Sequence, residues 1–205
     1  MHPKLEREKF LVRQKHMSWM KSKYYVFDEA GNHLFYVERP AGRVFTPGHI
    51  TIFEDDSTSE AVLVLKQVSR FAAIERQFEL VDADGSPVAR FNRHNIKSWF
   101  RRHWQVLHHD GSVIAHARED SPAIAALRRI FEWVPFAGIV VGFIRTNFHL
   151  SRIDESGNEV HAGTFNRKFS IGDKYALDLS DDPARLLDRR IALALGILLD
   201  TGEAR

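Results

Sequence analysis

Apolar residues recur in this chain at every second position, in short runs separated by acidic turns, and one such unit returns four times. It consists of an aromatic, an aliphatic two residues on, a turn ending in glycine, and an aliphatic three residues later. Tyr24, Val26, Gly31 and Leu34 make the first copy, Phe78, Leu80, Gly85 and Val88 the second, and Trp104, Val106, Gly111 and Ile114 the third. Phe148, Leu150, Gly157 and Val160 make a fourth, with two extra residues assigned to its turn. A period of two puts the apolar side chains on one face of a strand, and "DEAG", "DADG", "HHDG" and "DESG" supply the glycine that a tight hairpin turn needs. The stretch "ITIFEDDSTSEAVLVL" predicts a fifth hairpin with a longer loop, and "FNR" occurs twice, at Phe91–Arg93 and Phe165–Arg167. The pattern predicts an internally duplicated antiparallel sheet of about twelve strands, because no helical pattern separates them.

Two segments read as helices. "SPAIAALRRIFEW", Ser121 to Trp133, starts with Ser-Pro and has apolar residues at helical spacing. The other lies near the end, where Ile191 to Leu199 is apolar on every side, and such a helix must be surrounded. An amphipathic sheet closed around that helix fills the barrel and leaves few exposed edges. The predicted fold is therefore mostly β: a twelve-stranded antiparallel barrel enclosing a hydrophobic C-terminal α-helix. Ile191, Leu193, Leu195, Gly196, Leu198 and Leu199 form the core helix of that prediction. The whole of 1–205 reads as one domain, with a helix and an apolar segment inserted at about 121–146.

Composition narrows the class. The chain has 205 residues, 44% hydrophobic and 27% charged, as globular domains do. It has no cysteine, which removes disulfides, thiolate metal sites and cysteine nucleophiles. The start lacks the apolar stretch of a secretory signal, so no cleaved leader is expected. Ile191 to Leu199 would rise only about 13 Å, too short to cross a bilayer as a helix.

The segments "KYYVFDEAGN", "FELVDADGSPVARF" and "DKYALDLSDDPARLLDRRIALALGILLD" resemble the tubby-like superfamily, in particular its LURP-one-related and phospholipid-scramblase-like members. The likeness runs from about Phe10 to Glu203. It implies a twelve-stranded barrel around a central C-terminal helix, in agreement with the pattern. It also implies a lipid connection, because tubby domains bind phosphoinositide headgroups and scramblases are linked to calcium-dependent lipid movement. Scramblases carry an acidic, calcium-associated stretch before the helix. Asp173, Asp178, Asp181 and Asp182 occupy that region here with different intervening residues, so no metal is expected, and these four are the residues a calcium ion would use.

Charge has a local anomaly. From Gly85 to His109 there is no carboxylate, while Arg90, Arg93, Lys97, Arg101 and Arg102 alternate with Trp99, Phe100 and Trp104. Cations attract anionic lipid and aromatics settle at a membrane interface, which makes Arg90, Arg93, Lys97, Trp99, Arg101 and Arg102 the candidate lipid-binding set. A solvated hairpin loop is the simpler reading, and single-stranded nucleic acid is the least favoured. "WVPFAGIVVGFI", Trp133 to Ile144, reads as a plug over one barrel mouth ahead of a loop dipping into a membrane.

No catalytic constellation stands out. "LVDADGSPVARF" has Leu80 and Phe91 where a calcium loop needs acids. The eleven histidines show no ligand spacing, and His108 and His109 beside Asp110 fit a turn. Asp178 and Asp188 are explained by capping near the helix start. Nucleophile elbows, phosphate loops and dinucleotide fingerprints are missing. The expectation is a non-enzymatic domain without cofactor. Its expected partner is the anionic phospholipid headgroups of a membrane surface, with a soluble scaffold binding an unidentified protein as the alternative. The expected location is cytoplasmic, at or off the membrane surface.

Overall fold

The structure, a computed structural model, describes residues 2–18, 21–40, 49–68, 75–94, 103–119, 147–168 and 174–201. A single 3-10 turn, Pro3–Leu5, precedes the strands β1 (Lys9–Ser18), β2 (Lys21–Phe27), β3 (His33–Pro40), β4 (His49–Phe53), β5 (Ala61–Gln67) and β6 (Glu75–Asp82). They continue as β7 (Pro87–His94), β8 (His103–Leu107), β9 (Val113–Glu119), β10 (Asn147–Ile153), β11 (Glu159–Lys168) and β12 (Lys174–Asp178), followed by the helix α1 (Arg189–Thr201). Each strand pairs antiparallel with its neighbours in sequence, and β1 pairs with β12 to close the barrel. The predicted helix at Ser121–Trp133 and the apolar run at Trp133–Ile144 lie outside the described residues.

The repeat forms hairpins for the reason its spacing suggests. Gly31, Gly85, Gly111 and Gly157 all have φ between 82° and 87°, a region closed to most side chains. In each turn the glycine N–H donates to the carbonyl three residues back, and the first turn residue donates to the carbonyl four residues on. The fourth copy needs one correction. Its turn, Asp154 to Asn158, matches the other three, and the two extra residues belong to β10. A bulge between Leu150 and Ser151 absorbs the changed register with β11.

The inward positions fill the core as expected. Tyr24, Val26, Leu80, Trp104, Val106, Phe148 and Leu150 are buried, while Val88 and Ile114, close to their turns, are half-buried and pack against the core. Every residue from Ile191 to Leu199 is buried inside the barrel. Each large aliphatic taken from water there contributes about 1.5–3 kcal/mol, so the helix is the centre of the core. It is not long and apolar enough to cross a membrane.

A buried ion pair fixes the start of the helix. Arg189, 1% exposed, donates from Nη1 to Asp182 Oδ2 at 2.9 Å and from Nη2 to the Asp182 carbonyl at 2.7 Å. Asp182 also accepts from the backbone N–H groups of Leu186 and Leu187. Asp188 caps the helix, its carboxylate accepting from Arg190 N and its carbonyl from Ala192 N. Arg190 reaches on to Asp82 and so ties the helix to the β6–β7 turn.

Candidate functional site: a basic barrel rim

In a barrel whose strands run up and down in sequence order, successive connections alternate between the two ends. The turns at 28–32, 54–60, 83–86, 108–112 and 154–158 therefore share one rim with residues 2–8 and with 179–188, which lead into α1. The strand ends that flank 41–48, 69–74, 95–102, 120–146 and 169–173 share the other.

This alternation sorts the charges. The turn rim carries most of the chain's 27 carboxylates, because acidic residues make the side-chain-to-backbone bonds that shape its turns. Asp28 accepts from Asn32 N, Asp55 from Ser57 N, Asp84 from Ser86, Asp110 from Ser112 and Asp154 from Asn158 N. Those hydrogen bonds hold all five below the usual carboxylate range, with Asp110 lowered to about 2 by Ser112. They are ionised at neutral pH.

The opposite rim is basic. Within two residues of its strand ends stand Lys21, Lys23, Arg39, Lys66, Arg76, Arg93, Arg118, Arg167, Lys168 and Lys174. The described carboxylates in the same zone are Glu38, Glu75 and Glu119. Glu38 lies 3.9 Å from Lys23 and accepts from the Tyr36 hydroxyl. A concentration of cations at one end of a rigid body suits an extended anionic surface.

The sequence-derived lipid set is divided by this geometry. Arg90 is exposed on the barrel wall, midway along β7, with Nε 3.6 Å from Glu79. Arg93 is at the basic rim, its guanidinium 5.9 Å from the centre of the Trp104 ring. Lys97, Trp99, Arg101 and Arg102 lie outside the described residues, between strand ends on the basic rim. Trp104 is core, 2% exposed.

The calcium candidates have protein partners. Asp178 accepts from Ser180 N and Oγ and faces Lys9, Asp181 faces His161 at 3.2 Å, and Asp182 is occupied by Arg189. Asp173 lies outside the described residues. Among the described residues no group of three or more histidines and acids could hold a metal ion.

Pattern reading missed a histidine-bearing wall on β8 to β11. Strand register brings together residues far apart in sequence: Gln105 opposite His116, His116 opposite Ser151, and Ser151 opposite His161. His103 Nε2 lies 2.9 Å from His116 Nδ1, and His116 Nε2 lies 3.4 Å from Glu159 Oε1. Both terminal nitrogens of Arg118 donate to Glu159. Burial pushes the His116 imidazole down. Alternation of His103 and Gln105 on one strand was the only sequence signal, and it is too common to single out.

Residues 41–200 match the family described as LURP-one-related. No curated protein matches. Among solved structures, a porin-like protein from Bacteroides uniformis ATCC 8492 is 9% identical, with 83% of this chain and 95% of that chain covered. The TM-score is 0.22, too low to bear on fold or function.

Proposed function

The chain belongs to the LURP-one-related family, and from that premise we propose that it is a non-enzymatic, tubby-like barrel that docks its basic rim on anionic phospholipid headgroups. The observation that carries this reading is the separation of charge between the two rims. A barrel filled by its own helix has no open lumen to offer, which moves recognition to the outside. Each lysine or arginine near an anionic membrane is worth on the order of 1 kcal/mol at low salt, so several on one rim add up to useful affinity without a shaped pocket. The carboxylates of the turn rim would be repelled, and the molecule would therefore orient. The acid-free segment from Gly85 to His109, rich in arginine and aromatics, supports the same rim.

Co-sedimentation with neutral phosphatidylcholine vesicles, and with the same vesicles containing phosphatidylglycerol, tests the reading. The expected result is binding to the anionic vesicles alone, weakening steeply with ionic strength. Lys66→Gln combined with Lys168→Gln should lower affinity roughly tenfold or more, since ~1.4 kcal/mol is a factor of ten. Arg101→Gln with Arg102→Gln should do the same. Arg185→Gln, which removes a cation from the turn rim, is the matched control and should leave binding unchanged. Equal sedimentation with both vesicle types, or none with either, would favour the protein scaffold instead.

A further inference from the structure

We propose that His103 and His116 form a one-proton sensor at the basic rim, so that mildly acidic conditions add a charge there and tighten docking; the inference rests on the lipid reading above. His103 opens β8 at that rim, and its Nε2 lies 2.9 Å from Nδ1 of His116 on β9. Two imidazoles bond through such a pair of atoms only when one nitrogen carries hydrogen and the other does not. Glu159 lies 3.4 Å from the other ring nitrogen of His116. The assignment that satisfies every contact puts the His116 proton on Nε2, toward the carboxylate, and leaves Nδ1 to accept from His103 Nε2–H.

This arrangement decides where an added proton goes. On His116 Nδ1 it would set two N–H groups against each other and break the bond. On His103 Nδ1 it leaves the bond intact and makes it charge-assisted. Burial of His116, 8% exposed, opposes its ionisation and favours the same outcome. The intact pair therefore accepts one proton, carried by His103.

The surrounding charges leave that proton uncompensated. From β9, Arg118 stands opposite His103, its guanidinium held by Glu159 of β11, so those two charges cancel. From β10, His149 lies opposite Arg118 and Ser151 opposite His116. His161 of β11 is turned to Asp181. From β7 come Arg93, opposite Trp104, and Arg90, while His94 ends that strand. No carboxylate among these described groups is left to neutralise a cationic His103, so its charge adds to the rim.

Vesicle binding at about pH 7.5 and about pH 5.5, on either side of the ordinary imidazole value of ~6.5, tests the sensor. Phosphatidylglycerol serves as the anionic lipid because its phosphodiester stays ionised throughout. The wild type should bind more tightly at the lower pH. His103→Gln should match it at the higher pH and lose about fivefold of the acid gain, the factor one charge near an anionic surface is worth. An equal acid gain in both proteins overturns the sensor and leaves the lipid reading standing. Absence of anionic binding at both pH values removes the lipid reading, and with it the docking role. Ring nitrogen NMR of the free protein tests the pair separately: titration of His103 should shift in His116→Gln, and independent titration of the two rings overturns the proposal.

Discussion

The two rims of this barrel are built from the same strands, yet they differ in what their charges are used for. At the turn rim nearly every charge has a structural partner: aspartates shape the turns, Asp182 encloses Arg189, and Arg190 bridges Asp82 and Asp188. At the basic rim cations outnumber carboxylates at the strand ends, and they shape no turn among the described residues. Paired charges do their work inside the molecule, whereas an unbalanced set of one sign creates a field outside it. The contrast teaches which end to perturb for which effect: changes at the turn rim and the core should move stability, and changes at the basic rim should move binding.

Asp182→Ala tests this most severely. It leaves Arg189 buried without its counter-ion and removes the acceptor for Leu186 N and Leu187 N, so it should cost about 3–5 kcal/mol in denaturant unfolding. Any protein that remains folded should sediment with anionic vesicles as the wild type does. A loss of binding in the folded fraction would erase the division of labour between the rims.

Leu195→Ala comes next. Leu195 is fully buried in the helix, and truncation there should cost about 2–5 kcal/mol, again with vesicle affinity intact. Leu195→Asp should prevent folding. Soluble, cooperatively folding protein after deletion of residues 186–205 would rule out a central helix.

The smallest effect concerns Gly196. Alanine is the better helix former by ~1 kcal/mol, but a methyl group at this position would lie 3.1 Å and 3.3 Å from carbons of the Phe165 ring. Phe165 is itself fully buried and stacked on Tyr175, which leaves it little room to give. Gly196→Ala should therefore lower the unfolding midpoint slightly despite the gain in propensity. A raised midpoint would show that the ring can yield, and would sharpen the contrast by confining rigidity to the turn rim.

Much of this was legible in the amino-acid order alone. Alternation of Tyr24 with Val26, or Trp104 with Val106, specifies a strand with one apolar face, and the glycine of each turn specifies where it reverses. Both are local properties, set by backbone geometry within a few residues. The all-apolar run from Ile191 to Leu199 likewise demanded enclosure, since no orientation on a surface could hide it. The acid-free segment identified part of the basic rim by composition, but it grouped Arg90 with Arg93, which the barrel assigns to wall and rim. Three features were decided only by the tertiary structure: the gathering of lysines and arginines from separate strands at one end, the closure of Asp182 around Arg189, and the meeting of His103 with His116 and Glu159. Each depends on strand register and on the alternation of connections between the two ends of a closed barrel. Contacts of that kind join residues whose separation along the chain says nothing about their separation in space.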